Sequence, residues 1–313
     1  MNWPLNVAAQ ESSITLYRKV KSTPRFKIMR AAHLGMCFGV RDAISLALEK
    51  TRGEPVTILG ELVHNPIVLD QLRSQGVQIE HQLTNVRTST VMITAHGASE
   101  KTRAQVRERG LNIVEATCPL VHHAHRAVSR MVQDGYHPII IGKAGHAEVR
   151  GLTEDLADYD VVLSEDDVNQ LRERSKFGIA AQTTQPIDRV RYLVGLICIR
   201  FPNAQIRFVD TVCQPTKQRQ SAAVDLAQQC DLVIVIGGAN SNNTRELVNT
   251  CRQFCGRVEH IQTAADLQED WFQDVETVGL TAGTSTPDSV IDTVEARLRD
   301  IATQSPRPTW AIW

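Results

Sequence analysis

The chain has 313 residues, 42% hydrophobic and 22% charged, with 34 Lys plus Arg against 35 Asp plus Glu. This is the composition of a globular protein of two or three domains, and the net charge of −1 excludes the basic excess of a dedicated nucleic-acid binder. No apolar run reaches the roughly 18 residues that span a bilayer, and no apolar signal core opens the chain, so a cytoplasmic protein without membrane attachment is expected.

Residues 1–26 carry Arg18, Lys19, Lys21 and Arg25 with few acids and read as a flexible extension. FKIMR then reads as a strand leading to Cys37. Turn-spaced Val40, Ala43, Ile44, Ala47 and Leu48 predict a helix. VTILG (56–60), TVMITA (90–95) and LNIVEA (111–116) predict strands, with Gly76 and Gly110 as helix stops and Ser99 as an N-cap. PIIIG, DVVLS, FGIAAQ and IRFVD repeat the alternation in a second unit. DLVIVIGG, RVEHI and TVGLTAG do so in a third, which is one strand short. Residues 27–37 would supply that strand. The expected fold is therefore α/β: three pseudo-repeated lobes with mainly parallel sheets around a central cavity. The expected lobes are 38–117, 118–211 and 212–302 plus 27–37, followed by a tail over 303–313 with two Pro and two Trp.

The repeat is sharpest in its polar positions. Cys37, Cys118 and Cys213 each follow a strand-like run. His64, His146 and Ser241 come 27, 28 and 28 residues later. Third loops hold His96 (TAHGAS), Thr183 and Thr184 (AAQTTQ) and Ser285 (TAGTSTP). All of these lie at the carboxyl ends of predicted strands, where open parallel sheets bind ligands. Seven cysteines without a secretory signal argue for metal or redox use rather than a disulfide scaffold. Three distant thiols fit zinc with a fourth ligand, or three irons of a [4Fe–4S] cluster. A helix starting at each thiol, with Pro119 after Cys118, leans toward the cluster. Cys198, Cys230, Cys251 and Cys255 read as buried apolar residues. His122, His123 and His125 lie on the helix leaving Cys118 and should point at solvent or at neighbouring lobes. His64, His96, His146, Ser241, Asn242, Asn243 and Ser285 can surround a phosphate group with donors, and Glu148 is the obvious proton donor.

In the order and spacing of GMCFGVRDAI, GELVHNP, TAHGAS, ATCPLV, AGHAEV, AQTTQ, DTVC, NSNNT and TAGTSTPD, the chain resembles the 4-hydroxy-3-methylbut-2-enyl diphosphate reductase family over about residues 27–302. The resemblance implies one [4Fe–4S] cluster per chain on Cys37, Cys118 and Cys213, with one iron left open. It implies reductive loss of the substrate's hydroxyl as water, giving isopentenyl and dimethylallyl diphosphate in the non-mevalonate isoprenoid route. It makes Glu148 the proton source and gives Thr183 a positioning or relay role. The loop His, Ser and Asn residues would hold the diphosphate, and ferredoxin or flavodoxin would supply electrons. The chain departs from the family pattern at His33-Leu34-Gly35-Met36, at Ala147, at Gln214-Pro215 and at Asn242, where a serine is common. Two other readings stand beside this one: a cluster-based non-redox dehydratase of a related phosphorylated alcohol, and a zinc or cluster sensor without turnover.

Overall fold

Short runs of branched apolar residues alternate with amphipathic stretches, and in a computed structural model describing residues 24–303 they form twelve strands and ten α-helices. Most of the expected N-terminal extension and all of the tail beyond Thr303 lie outside the described residues. The packed chain reaches back beyond the expected boundary at residue 27. Arg25 N–H donates to the Ala302 carbonyl (2.8 Å), and Phe26 is buried, stacking on Phe272 with ring centroids 5.0 Å apart.

Strand β1 (Lys27–Arg30) leads into helix α1 (Phe38–Gly53). Next come β2 (Val56–Leu59), α2 (Pro66–Ser74), β3 (Gln78–Glu80), β4 (Thr90–Ile93), α3 (Glu100–Glu108) and β5 (Asn112–Glu115). The second unit runs through α4 (Pro119–Gln133), β6 (His137–Ile141), α5 (Ala147–Thr153), β7 (Asp160–Val162), α6 (Glu165–Gln170), β8 (Lys176–Ala181), α7 (Ile187–Arg200) and β9 (Gln205–Phe208). The third holds α8 (Gln214–Ala227), β10 (Leu232–Ile236), α9 (Asn242–Arg252), β11 (Val258–Ile261), β12 (Thr277–Ala282) and α10 (Asp288–Thr303).

Every strand pair in the three sheets is parallel, and the sheets share one order: β3-β2-β4-β5, β7-β6-β8-β9 and β11-β10-β12-β1. The three-lobed parallel architecture expected from the sequence is the one found. β1 fills the place that β5 and β9 fill in the other sheets, pairing with β12 from Lys27–Thr277 to Arg30–Leu280. Helices cover both faces of each sheet, which is why a central strand such as β10 (LVIVI) is buried at all five positions. In the third lobe α10 packs on one face, while α8 and α9 pack on the other. Strand β3 escaped the sequence reading. It is a three-residue edge strand, QIE, with no fully buried position, so it lacks the apolar signature of its neighbours.

Cys198 corrects an expectation. It is exposed on α7, where Val190, Leu193 and Ile197 face the core and neighbouring Ile199 is 77% exposed. The run LVGLICIRF is apolar all round, so composition could not say which side the lobe covers. Cys230, Cys251 and Cys255 are buried as expected. Among the described residues no helix is long and apolar enough to cross a membrane.

Candidate functional site

The three sheets are joined by handovers. The last strand of one lobe (β1, β5 or β9) runs on into a short loop that ends in a cysteine, and that cysteine starts a helix covering the next lobe (α1, α4 or α8). Cys37, Cys118 and Cys213 are the N-caps of those helices, with Pro119 and Pro215 in the first turns of α4 and α8, where a missing N–H costs nothing. One hydrogen bond repeats at each handover. Cys37 N–H donates to Thr284 C=O (3.1 Å), Cys118 N–H to Ala95 C=O (3.1 Å) and Cys213 N–H to Thr183 C=O (3.0 Å). Each bond ties a cysteine to the loop leaving the neighbouring strand of its own sheet. The pseudo-repeat therefore brings nine strand ends to one chamber.

That chamber is lined by all three cysteines together with His64, His96, His146, Glu148, Thr183, Ser241, Asn242, Asn243 and Ser285, so every site residue expected from the sequence reaches it. The His122-His123-His125 run does not. His123 is exposed, and His125 packs against Gly97 and Gly151, with burial as the main cause lowering its pKa to about 4.

The thiols have the surroundings a metal centre needs. A Cβ on Gly39, in the first turn of α1, would lie 2.6 Å from Cys118 Sγ, so only glycine leaves that sulfur free to face the chamber. The Thr216 hydroxyl lies 3.0 Å from Cys213 Sγ. Burial pushes Cys118 up and Cys213 up to about 11, so without a cation both remain protonated. A bound cationic centre would draw those protons off. The buried Arg219 guanidinium donates to Gly35 C=O (2.9 Å) and Pro215 C=O (3.0 Å), and its charge acts on Cys37 and Cys213. Sequence reading missed Arg219. Its only signal is one helical step beyond Pro215, and an arginine there is ordinary.

Glu148 is fully enclosed, 1% exposed. Thr183 N–H donates to its Oε1 (2.6 Å) and the Thr183 hydroxyl to its Oε2 (3.0 Å). Burial opposes ionisation, the two Thr183 bonds favour it, and burial wins, raising the carboxyl to about 7. At neutral pH roughly half of such carboxyls hold a proton, which suits an acid that must both give and regain one.

The three imidazoles form a wall. Centroid separations are 4.6 Å (His64–His96), 5.1 Å (His64–His146) and 5.4 Å (His96–His146), and one nitrogen from each lies within 4.8 Å of the others. Their tautomers differ. His64 Nδ1 is 2.8 Å from the Glu61 carboxylate and carries the proton, leaving Nε2 as a buried lone pair without a partner. His96 Nδ1 is likewise buried without a partner among the described residues. His146 Nδ1 accepts from Glu148 N–H (3.2 Å), so its Nε2 bears the hydrogen. Burial first, then the neighbouring rings, holds His96 well below the usual histidine range. Burial, then His64, brings His146 down to about 3. A buried lone pair on His64 beside an N–H on His146 suits an anion arriving with a proton better than a bare cation, which wants a lone pair from every ring.

Asn243 Oδ1 accepts from Thr284 N–H (2.9 Å), which leaves Nδ2 buried without a partner, and Ser285 Oγ is likewise unpartnered. Asn242 Nδ2 instead donates to Thr184 Oγ1 (3.3 Å), tying α9 to the loop after β8. Asn65, N-cap of α2, donates to Ser285 C=O (2.9 Å) and joins the first lobe to the third. A Cβ on Gly238 would lie 2.5 Å from the His64 carbonyl, so glycine permits that close approach. Glu61, three residues before His64, was also missed. Its spacing in GELVHN is the one available signal.

A family model described as LytB protein matches residues 28–299. A 4-hydroxy-3-methylbut-2-enyl diphosphate reductase of Trichlorobacter lovleyi is 39% identical over 277 residues, 88% of this chain and 98% of that one. The reductase of the same name from Aquifex aeolicus is 35% identical over 281 residues, 88% and 96% of the two chains. The solved E-1-hydroxy-2-methyl-but-2-enyl-4-diphosphate reductase of Plasmodium falciparum superposes with a TM-score of 0.83 at 27% identity, covering 90% of each chain. A solved (E)-4-hydroxy-3-methyl-but-2-enyl diphosphate reductase superposes with a TM-score of 0.64 at 35% identity, covering 87% and 99%.

Proposed function

This chain belongs to the LytB family of 4-hydroxy-3-methylbut-2-enyl diphosphate reductases, and from that premise we propose that its chamber reduces (E)-4-hydroxy-3-methylbut-2-enyl diphosphate to isopentenyl and dimethylallyl diphosphate. The reaction consumes two electrons and two protons, breaks the allylic C–O bond, forms a C–H bond and releases water. The observation that carries the reading is the meeting of three helix-capping thiols with a buried carboxyl and a wall of imidazoles in one chamber.

Cys37, Cys118 and Cys213 are the residues that would hold one [4Fe–4S] cluster per chain. Such a cluster, when bound, supplies electrons singly and offers a Lewis-acidic iron where no fourth thiolate binds. The donor set and the opening at Gly39 fit it, and the Arg219 guanidinium, close enough to act on Cys37 and Cys213, would offset its negative charge. A ferredoxin or a flavodoxin is the proposed electron donor.

The protein's own groups do the rest. Asn243 Nδ2, Ser285 Oγ and His146 Nε2–H donate to diphosphate oxygens, and His64 and His96 do so once protonated. Asn242, committed to Thr184, acts by holding two lobes together and binds the substrate less directly. Glu148 holds the proton. When it is carried on Oε2, the Thr183 oxygen becomes its acceptor and turns its own hydrogen toward the chamber, so a proton can pass along the 3.0 Å contact. Burial of Glu148 and Thr183 keeps bulk water from that path.

The test is preparation without air. The expected result is about four iron and four sulfide per chain and reductant-dependent formation of both C5 diphosphates. Turnover without reductant would favour the non-redox dehydratase, and about one zinc per chain without turnover would favour the sensor.

A further inference from the structure

Outside the imidazole wall lies a second, larger cavity of about 740 Å³. The two cavities share His64 and His146, so the wall separates an open basin from the chamber. Their charges differ. Among the described residues no lysine or arginine lines the chamber, whereas Lys143, Arg150 and Arg245 line the basin. Lys143 precedes α5, Arg150 lies within it and Arg245 is in the first turn of α9, so two lobes contribute. All three cations are near enough to His146 to help lower its pKa.

Among the described residues none of the three forms an ion pair, whereas nearby arginines do: Arg103 with Glu115 and Arg189 with Glu246, both at 2.9 Å. The acids in the basin are engaged elsewhere. Glu61 bonds His64, and Glu154 accepts from Ser99 (2.7 Å) and Thr102 (3.3 Å). Three free cations converging on the outer face of an anion-binding wall are an arrangement that raises the local concentration of an anion.

We infer that this basin is a docking site for the diphosphate group, held by Lys143, Arg150 and Arg245 on the outer side of the wall to which His64 and His146 belong. The inference rests on the diphosphate reading above. It also accounts for a chamber without fixed cations. The basin captures the anion through long-range attraction, and the chamber then binds it with directional donors and protonatable rings, without a strongly held ion pair that would retain the product.

The test uses the cluster-loaded enzyme. Lys143→Gln/Arg150→Gln, both at exposed positions, and the triple variant adding Arg245→Gln are compared with a control triple of Arg52→Gln, Arg130→Gln and Arg252→Gln. The control residues lie in the last turns of α1, α4 and α9, helices that start at the centre. At about 20 mM ionic strength the basin triple should lose about tenfold in kcat/KM, with kcat changed less than about twofold, and the gap should close near 300 mM. The control triple should follow the unmodified protein.

Calorimetric titration with inorganic pyrophosphate provides a readout that needs no turnover. The basin triple should bind about tenfold more weakly at low salt. Wild-type affinity and salt slope in that variant overturn the docking site even when turnover is normal. Salt-dependent pyrophosphate binding that the triple loses, in a protein that reduces nothing, upholds the docking site and overturns the reductase reading instead.

Discussion

Two trios of cysteines occupy the same chain and do different work. Cys230, Cys251 and Cys255 lie inside one lobe, in the core between the third sheet and helices α8 and α9. Their thiols meet carbonyls and a thioether inside the lobe: Cys255 Sγ lies 3.3 Å from the carbonyls of both Cys230 and Arg257, and Cys230 Sγ lies 4.0 Å from Met29 Sδ. Burial pushes Cys230 up to about 11 and Cys251 up to about 12. Cys213, in the central trio, also stands at about 11. Thiol acidity therefore does not separate the trios. Position does. The central cysteines come from three lobes, cap three helices and face one polar chamber, while the others come from one lobe and face side chains that have no use for a metal.

The largest effect that would sharpen this contrast is on iron. Cys118→Ser or Cys213→Ser should drop iron well below the normal content of about four per chain, with activity falling at least about 10³-fold. Cys251→Ala should keep both. Loss of iron in Cys251→Ala breaks the comparison.

Glu148→Gln comes next. It preserves shape and removes the proton, so kcat should fall about 10²- to 10⁴-fold while iron content and visible spectrum stay normal.

A smaller effect concerns pH. Because Glu148 sits near 7 and must be protonated to donate, the rate should be level below that value and fall about tenfold per unit above it. Thr183→Val removes one bond that favours the carboxylate, so the falling limb should move to higher pH. A limb that stays in place or moves lower disproves the assignment.

The smallest effect is on stability. Cys251→Ala leaves a small void in a packed core and should cost about 1 kcal/mol in denaturant unfolding with no change in iron.

The strands were legible because each is a run of branched apolar residues between polar loops. β3 was not, because QIE at a sheet edge has no such pattern. Chamber residues were legible wherever the threefold spacing marked them. Glu61, Asn65, Thr216 and Arg219 fall outside that spacing and act only through neighbours: a ring held at 2.8 Å, a carbonyl 220 residues away, a sulfur, one loop carbonyl and one in the first turn of α8. The exposure of Cys198 was invisible for a similar reason, since an apolar run does not say which of its faces another element will cover.

By itself the sequence determined three parallel lobes, the borrowing of β1 by the third, and the thiols and polar loops that meet, because period and spacing are local properties that dictate pleat, helix face and crossover. Tertiary structure alone decided which imidazole nitrogens carry hydrogen, that burial outweighs two hydrogen bonds at Glu148, and that three cations outside the wall have no ion-pair partner among the described residues. Those outcomes depend on distances between lobes and on exclusion of water, and no stretch of chain encodes either one.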